Sequence, residues 1–305
     1  MVQVRILRQS RWPAALCLVA CTAVACGGEG SGPPSGPTEP PPRGGSGQTV
    51  EVIAVGDIGW CGSRGTSETA QLAESLSGWL LLVGDIAYPN GSASDFQRCF
   101  EPAWGRFRGR WYPVPGNHDY LTPGASAYFD YFGLAAGSDR SGFYALSLGD
   151  WQILMLDSNI PSQRNSAQWE FVRREMDLQR RPCTLAVWHH PLFTSGQNGP
   201  NLNMRDLYAL LEAAGADVVI NGHDHLYERF ASQSADGRPA DRGIRQFTAG
   251  TGGAELYRFV TTAPNSEVRI AQYGILRLAL QPGGYRWEFV LTAGGLADSG
   301  SDICH

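Results

Sequence analysis

The sequence predicts an α/β (α+β) protein in which buried sheets are covered by helices. Short runs of apolar and β-branched residues, each as long as a strand, alternate with segments of helical period. Strands that are apolar on both faces are typical of sheets covered on both sides. Each apolar run also ends in a short polar cluster, which is where open α/β folds bind their ligands.

The predicted elements follow one another in a regular order. The run V-E-V-I-A-V (50–55) is the first strand, and a segment of helical period follows at 67–76. Further strands are predicted at 79–83, 110–114, 151–157, 183–188 and 216–220, with helices at 167–178 and 204–215. Gly215 ends the last of these helices. From Ile244 onward, short strands joined by glycine turns indicate a second sheet packed on the first.

Composition and charge limit the classes of function. With 305 residues the chain is long enough for one large domain or two small ones. A net charge of −5 gives no indication of nucleic-acid binding through a basic face. The 38 glycines and the charged fraction of only 17% are typical of a loop-rich globular protein outside the cytoplasm.

The first 48 residues are expected to lie outside the folded domain. Three arginines precede the apolar run W-P-A-A-L-C-L-V-A-C-T-A-V-A, so residues 1–25 are interpreted as a signal peptide of the lipoprotein type. The run is too short to span a membrane as a helix. Cys26 would then carry the lipid; Cys21 is a competing site, and ordinary cleavage with free secretion is the other alternative.

The domain organisation and the location follow from this leader. Residues 26–48 are rich in glycine, proline and serine and are interpreted as a linker, and residues 49–305 are expected to form the folded domain. The protein is expected to be extracytoplasmic, either secreted or lipid-anchored at the cell surface or in the periplasm. Contact with a membrane is expected only through the anchor on Cys26.

The four cysteines of the folded domain predict disulfide bonds, because an even number is typical of an oxidising compartment. Cys61 and Cys99 both follow the first two polar clusters, so this pair is favoured, and it leaves Cys183 with Cys304. Sequence alone permits three pairings of four cysteines. No C-x-x-C is present, so a zinc knuckle is not expected.

The polar clusters at the predicted strand ends supply carboxylate, phenol, amide and imidazole groups. Oxygen and nitrogen donors without a thiolate suit a hard or borderline metal such as Fe, Mn or Zn. Eight such groups exceed the needs of one ion and suit two ions about 3.5–4 Å apart that share a carboxylate. Any one cluster alone could be a turn or a packed histidine, but five of them in order favour a metal centre. The eight residues are Asp57, Asp85, Tyr88, Asn117, His118, His189, His223 and His225.

The ordered set G-D-x-G, G-D-x-x-Y, G-N-H-D, V-x-x-H and G-H-x-H resembles the calcineurin-like metallophosphoesterase superfamily. The tyrosine of G-D-I-A-Y resembles that of the purple acid phosphatase branch. The resemblance extends from Asp57 to His225. It implies a four-layer αββα sandwich of two mixed sheets, with a dinuclear metal centre at the strand ends.

The resemblance also implies a role for each motif residue. Four residues correspond to ligands of an Fe(III) ion, namely Asp57, Asp85, Tyr88 and His225, with Asp85 as the bridge. Three correspond to ligands of a divalent ion (Fe, Zn or Mn), namely Asn117, His189 and His223. His118 resembles the catalytic histidine that hydrogen-bonds the phosphate, and its neighbour Asp119 or another carboxylate is expected to hold it. His190 has no counterpart among the family ligands and is interpreted as a packing or supporting residue.

These roles predict an exported metal-dependent phosphatase that hydrolyses small phosphomonoesters by attack of a metal-bound hydroxide. A phosphodiesterase or nucleotide hydrolase with the same centre is the alternative among enzymes. A surface binding protein with vestigial chemistry is the alternative outside them, although the intact ligand set disfavours it. A zinc hydrolase of the metallo-β-lactamase type is disfavoured because H-x-H-x-D-H is absent. Relatives that resemble this chain carry a second histidine after the metal histidine, and the nearest match here is Asn198.

Overall fold

The structure is a computed structural model that describes residues 43–178 and 181–305. The predicted signal peptide and residues 26–42 of the predicted linker lie outside these ranges. Within the described residues, no helix combines the length and the apolar character needed to cross a membrane.

Two sheets form the centre of the fold, with strands that are short and mostly buried. The strands are β1 (Val50–Val55), β2 (Trp79–Val83), β3 (Trp111–Val114), β4 (Tyr144–Leu148), β5 (Trp151–Met155), β6 (Cys183–Val187), β7 (Val218–Asn221), β8 (Tyr227–Phe230), β9 (Arg245–Ala249), β10 (Ser266–Ile270), β11 (Gly274–Gln281), β12 (Gly284–Leu291) and β13 (Leu296–Ile303).

Helices connect the strands and cover the sheets. The α-helices are α1 (Arg64–Ser75), α2 (Ala93–Asp95), α3 (Glu101–Trp104), α4 (Ser126–Phe132), α5 (Ala167–Leu178) and α6 (Arg205–Ala213). A π-helical turn covers Phe96–Phe100, and 3₁₀ turns cover Gly105–Phe107, Asp119–Leu121, Pro123–Ala125, Gly133–Ala136 and Leu202–Met204.

Both sheets are mixed, and each has a parallel centre. The first has the order β13-β12-β11-β1-β2-β3, in which β1, β2 and β3 are parallel and β11 to β13 are antiparallel. The second has the order β10-β8-β9-β7-β6-β5-β4, with β5, β6, β7 and β9 parallel. The carboxyl ends of parallel neighbours meet at one edge of a sheet, so this topology gathers the motif residues.

The sheets pack face to face between two helical layers. Successive residues along a strand belong alternately to the core between the sheets and to the core under the helices. Val52 and Ala54 of β1 belong to the apolar core between the sheets, whereas Ile53 and Val55 pack outward in the cluster that contains α1 and α4 residues. On the second sheet, Ala186 and Val219 pack outward with residues of α5 and α6. Because both faces of each central strand are covered, the strands are mostly apolar. The predicted four-layer αββα sandwich is confirmed.

The structure differs from the sequence prediction in its C-terminal part. The strands after Ile244 were expected to form a second sheet of their own, but they divide between both sheets. Strand β9 pairs with β7, whereas β11 pairs antiparallel with β1. The second sheet instead begins with β4 and β5. Apolar patterning reports that a strand is buried, and it does not report which neighbour the strand pairs with.

The two disulfide bonds expected from the sequence are both present. Cys61 bonds Cys99, with Cα atoms 4.4 Å apart, and Cys183 bonds Cys304, with Cα atoms 5.4 Å apart. The first bond joins the loop after β1 to the π-helical turn. The second joins the start of β6 to the end of the chain, so it ties the last strand segment to the second sheet.

Candidate metal centre

The motif residues of both sheets lie where the central strands end. Asp57, Asp85 and Asn117 follow β1, β2 and β3, whereas His189 and His223 follow β6 and β7. The backbone of Asp57, Asp85 and His223 is left-handed, with φ of 59°, 51° and 71°. Such angles are uncommon outside glycine and concentrate at functional sites. The chain therefore turns sharply at three of the strand ends, and both sheets contribute side chains to one site.

Glycines in these loops make the close approach possible. A Cβ atom on Gly116 would lie 2.1 Å from Oδ1 of Asp85, and one on Gly250 would lie 2.7 Å from Oδ2 of Asp57. Neither position has room for a side chain, because the neighbour is a buried carboxylate held by backbone N–H groups. Gly116 and Gly250 therefore border the candidate ligands Asp85 and Asp57.

The phenol of Tyr88 lies among three acceptor atoms. Its oxygen is 2.9 Å from Oδ1 of Asp57, 3.0 Å from Oδ2 of Asp85 and 3.1 Å from Nε2 of His225. Asp57, Asp85, Tyr88 and His225 are all buried. One hydroxyl proton can satisfy only one of these acceptors. Two carboxylates, a phenol and an imidazole that converge in this way fit a hard cation.

A second group of donors lies next to the first. Nε2 of His189 is fully buried and makes no hydrogen bond within the described residues, although Oδ2 of Asp85 is 3.4 Å away. Oδ1 of Asn117 is likewise buried and without a partner there. The ring of His223 lies 5.1 Å from that of His189. Orphaned buried atoms are costly in a protein, and an ion at this place would remove the cost.

The imidazole rings are oriented by main-chain carbonyl groups. Nδ1 of His189 lies 2.8 Å from the Val83 carbonyl oxygen, and Nδ1 of His225 lies 2.7 Å from that of Glu255. A hydrogen bond at one ring nitrogen sets the tautomer and leaves the other nitrogen free to bind a metal. In both residues the other nitrogen is Nε2, which lies near the carboxylates of Asp85 and Asp57, and Nε2 of His225 also contacts the Tyr88 hydroxyl. The residues present therefore fit a metal centre.

The electrostatics of the protein without ions agree with this interpretation. Burial lowers the pKa of His189, but the carboxylates of Asp85 and Asp57 outweigh it and raise that pKa to about 10. Burial raises the pKa of Asp85, but the charges of His189 and His118 outweigh it and hold that pKa well below its ordinary value. Burial raises the pKa of Tyr88, and Asp57 and Asp85 add to the rise. Without a cation, a proton on His189 balances the carboxylates.

The two candidate catalytic residues have different surroundings. His118 is about one-third exposed, Nδ1 of its ring lies 2.5 Å from the Pro89 carbonyl oxygen, and Nε2 lies 3.9 Å from Oδ2 of Asp85. The carboxyl of Asp119 is buried and accepts the backbone N–H groups of Gly116 and Ile86. Burial and the charge of Asp85 raise the pKa of Asp119 to about 8. Pro89 thus orients the His118 ring, whereas Asp119 binds the backbone of the ligand loops.

Several contributors to the site have no motif in the sequence. Tyr257 stacks on His225 with ring centroids 3.9 Å apart, in a loop whose Glu255 supplies the carbonyl noted above. The buried carboxylate of Asp224 accepts Thr194 Oγ1 at 2.5 Å and the backbone N–H of Asn198 at 3.1 Å. Asp224 stands between the two motif histidines, which was the only signal for it. Main-chain carbonyl contacts leave no signal in residue type.

Comparison with known proteins agrees with the fold and the site. The family model for calcineurin-like phosphoesterases matches residues 50–227, more than half of the chain. The chain belongs to the calcineurin-like phosphoesterase family. Its relatives place it in the purple acid phosphatase branch of that family. The matched range begins at β1 and includes every residue of the two donor groups.

Three individual similarities illustrate the branch. Purple acid phosphatase 15 of Arabidopsis thaliana is 25% identical over 58% of this chain and 40% of that protein. Probable purple acid phosphatase 20 of the same plant is 27% identical over 75% of this chain and 60% of that protein. A solved purple acid phosphatase from yellow lupin seeds has a TM-score of 0.74 at 18% identity, over 87% of this chain and 55% of that one.

The family membership concerns only part of the relatives' length. The chain spans from 40% to 60% of the two Arabidopsis proteins. The lupin structure shows a common fold and nothing beyond it, because its sequence identity to this chain is low. Family membership implies a dinuclear metal centre, and the described residues supply clusters of aspartate and histidine side chains that could hold metal ions.

Proposed function

We propose that this chain is an exported, metal-dependent phosphatase that hydrolyses phosphomonoesters. The observation that carries the proposal is the phenol oxygen of Tyr88, which lies within 3.1 Å of Asp57, Asp85 and His225. A site with that many acceptors and a single hydroxyl proton is suited to a cation. The relatives are named as acid phosphatases, which favours monoesters over diesters.

The proposal assigns each donor group to one ion. Asp57, Tyr88 and His225 would hold Fe(III), because carboxylate and phenolate oxygens suit a hard trivalent ion. Asn117, His189 and His223 would hold a divalent ion, for which Fe, Zn and Mn are the candidates. Without ions, burial and the charge of His189 lower the pKa of His223 to about 2. A ligand imidazole must be neutral, so ion binding would also displace the proton of His189. Asp85 lies near both groups and would bridge the ions.

The residues around the ions have their own tasks in the reaction. When bound, two cations relieve the repulsion between a phosphate ester and its nucleophile, and they lower the pKa of water toward about 7. The Pro89 carbonyl holds Nδ1 of His118 and leaves Nε2 to face the site, where it would donate a hydrogen bond to the phosphate when the ring is an imidazolium. Asp119 binds the N–H groups of Gly116 and Ile86, which keeps the loops of Asn117 and Asp85 in register.

The experiment that tests the proposal combines metal analysis with a substrate screen. The protein is purified, its metal content per chain is measured, and aryl monoesters and aryl diesters are compared at equal leaving-group pKa. We expect two ions per chain and a kcat/KM for monoesters that exceeds that for diesters. Preferential cleavage of diesters would favour the phosphodiesterase alternative. Two bound ions with no turnover of either class would favour a binding protein.

The bridge provides a sharp variant for the same experiment. Asp85→Asn places a neutral amide between two cations, so both metal content and turnover should fall to background. Asp130→Asn is the matched control, because Asp130 pairs with Arg140 on the exposed surface. Normal turnover of Asp85→Asn with two ions bound would contradict the assignment of the bridge.

Export is supported by the two disulfide bonds, since such bonds persist in oxidising compartments. We propose residues 1–25 as the signal peptide, 26–48 as the linker and 49–305 as the catalytic domain. Mass spectrometry of the mature N-terminus tests this in three proteins, the wild type, Cys26→Ser and Cys21→Ser. A lipid that disappears only in Cys26→Ser supports the assignment. A mature chain without lipid supports ordinary secretion.

A further inference from the structure

The side chain of His190 lies in the candidate metal centre, although the sequence interpretation gives it no ligand role. Its ring is 4.3 Å from the ring of His223 and 5.0 Å from that of His189. One ring nitrogen from each of these three residues lies within 4.8 Å of the other two. Nitrogens bound to a single ion at about 2.1 Å lie about 3 to 4 Å apart. A small rotation of the rings would therefore bring all three nitrogens to one ion.

The backbone and ring of His190 are both held in place. Nδ1 lies 2.8 Å from Oγ of Ser158, and the backbone N–H of His190 donates to the same hydroxyl at 3.0 Å. Nε1 of Trp188 donates to the His190 carbonyl oxygen at 2.9 Å. Ser158 is buried and follows β5, a strand end at which the sequence showed no motif. The segment after β5 thus contributes to the centre, because its Ser158 holds His190 in place.

In the tautomer in which Nδ1–H donates to the Ser158 hydroxyl, His190 has the hydrogen-bond pattern of metal-binding imidazoles. His189 and His225 use Nδ1 for a carbonyl oxygen and keep Nε2 for the site. His190 uses Nδ1 for Ser158, and within the described residues its Nε2 has no hydrogen-bond partner. Metal-binding histidines are held in this way by groups outside the coordination sphere. One ring nitrogen of His190 lies within 4.8 Å of a ring nitrogen of His189 and of His223, a proximity that packing alone does not require.

We propose that His190 is a further ligand of the divalent ion, through Nε2, beside Asn117, His189 and His223. The proposal rests on the proposed function, because it concerns an ion of the same centre. Three imidazoles around one ion make the site rich in nitrogen. Affinity of such a site follows the order Mn²⁺ < Fe²⁺ < Zn²⁺. His190 would therefore favour Zn²⁺ over Mn²⁺ at this position, and Ser158 would be its positioning residue.

The test measures metal binding directly. The full mature chain is freed of metal with a chelator, and Zn²⁺ and Mn²⁺ are titrated separately by calorimetry. His190→Phe retains a flat ring against His223 and removes the nitrogen, and His190→Gln serves if that variant does not fold. Ser158→Ala removes the hydroxyl that holds the ring. His305→Gln is the matched control, because His305 lies at the chain end and its Nε2 contacts the Arg242 carbonyl.

The expected result is a selective loss of zinc affinity at one of two sites. His190→Phe should weaken Zn²⁺ at the second site by about 100-fold or more, and Ser158→Ala by about 10-fold. Mn²⁺ affinity should change much less, and the control should match the wild type. Absorption spectra of the Co²⁺-loaded proteins should differ between the wild type and His190→Phe, because the coordination number changes.

Two outcomes would overturn the proposal. Unchanged Zn²⁺ affinity in a folded His190→Phe, judged by circular dichroism and thermal unfolding without metal, would make His190 a packing residue. Unchanged Zn²⁺ affinity with a raised KM would make it a substrate contact instead. Both differ from a failure of the proposed function, in which the wild-type chain itself would bind no ions or cleave no phosphate ester.

Discussion

The phenol oxygen of Tyr88 lies 3.0 Å from Oδ2 of Asp85, the carboxylate at the centre of the site. The two residues are three positions apart in the loop that follows β2. Burial and the carboxylates raise the pKa of Tyr88 well above its ordinary value, so the free protein holds a neutral phenol. A trivalent ion bound here would instead lower the pKa of Tyr88, because the ion stabilises the phenolate more than burial destabilises it.

The first prediction concerns the colour of the iron-loaded protein. A ferric ion bound by a Tyr88 phenolate should give a broad visible absorption band, because charge passes from the phenolate to the metal. The metal-free protein and Tyr88→Phe should both lack the band. Visible spectra of matched samples, together with their iron content, provide the measurement. An active, colourless wild type that contains only zinc or manganese would contradict the tyrosinate and leave the esterase unaffected.

The second prediction concerns the two disulfide bonds. The cysteines are 38 and 121 residues apart for Cys61–Cys99 and Cys183–Cys304. Chain-entropy estimates for loops of these lengths give a loss in the free energy of unfolding of about 4 and about 5 kcal/mol. Urea unfolding of Cys61→Ser and Cys183→Ser variants, each with its partner also changed to serine, provides the measurement. Equal stability of the wild type and both variants would contradict the prediction.

The two bonds should differ in their effect on catalysis. Cys61 follows Trp60, whose ring packs 5.0 Å from Tyr88, so loss of this bond should loosen the loop beside the site. Cys183 lies at the start of β6, at the opposite end of the strand from His189. The first variant should lose kcat/KM at temperatures where both remain folded, whereas the second should retain it. Steady-state kinetics below the unfolding transition distinguish the two.

The third prediction concerns the pH dependence of stability at Asp157. Burial raises the pKa of this carboxyl to about 6, although Tyr120 and Asn159 donate hydrogen bonds to it. A raised pKa in the folded state gives a contribution that is complete below about pH 4 and is lost as the pH rises through about 6. A rise from the ordinary value of 3.8 to about 6 corresponds to about 3 kcal/mol.

Asp157→Asn is the matched variant for this measurement. The amide keeps one oxygen for Asn159 and can donate to the Tyr120 hydroxyl, but it does not titrate. The free energy of unfolding of the wild type, relative to the variant, should therefore fall as the pH rises from 4 to 7. Urea titrations at four or five pH values, at equal metal content, check it. A difference that stays constant over this range would refute the assignment of the pKa.

The sequence predicted the central strands and the residues at their ends because both depend on residue type. V-E-V-I-A-V and W-L-L-L-V match β1 and β2, since strands buried on both faces are mostly apolar. The carboxylates and imidazoles at the ends of these strands could be predicted as ligands because their chemistry also depends only on residue type. The donor groups around Tyr88 and His189 could therefore be chosen from the sequence, and the structure brings them together.

Other parts of the fold depend on contacts that residue type does not encode. Strand β13 (Leu296–Ile303) is mostly polar and half exposed, because it lies at the edge of its sheet, so it shows no apolar run. The carbonyl groups of Val83, Glu255 and Pro89 orient three histidines, and any residue could supply them. His190 was assigned to packing or support, because its approach to His223 depends on the loop after β6.

The last prediction concerns Asn198, the nearest match in this sequence to the second histidine that the family resemblance implies. Its side-chain amide donates to the His223 carbonyl oxygen at 2.9 Å, and its backbone N–H donates to Asp224 at 3.1 Å. Asn198 is exposed and lies at the edge of the site, beside the candidate ligand His223. An amide can hydrogen-bond a leaving group but cannot protonate it.

A general acid contributes about 10²- to 10⁴-fold to the rate, mostly when the leaving group is basic. We therefore expect the wild type to cleave activated aryl phosphates far better than alkyl phosphates. Asn198→His should raise kcat/KM for alkyl phosphates by about 10-fold or more and change that for aryl phosphates little. The bond from residue 198 N–H to Asp224 survives the substitution, so the loop should keep its place. Asn198→Gln is the control that retains an amide. Equal turnover of both substrate classes by the wild type, or an equal gain for both in Asn198→His, would show that no acid is missing at this position.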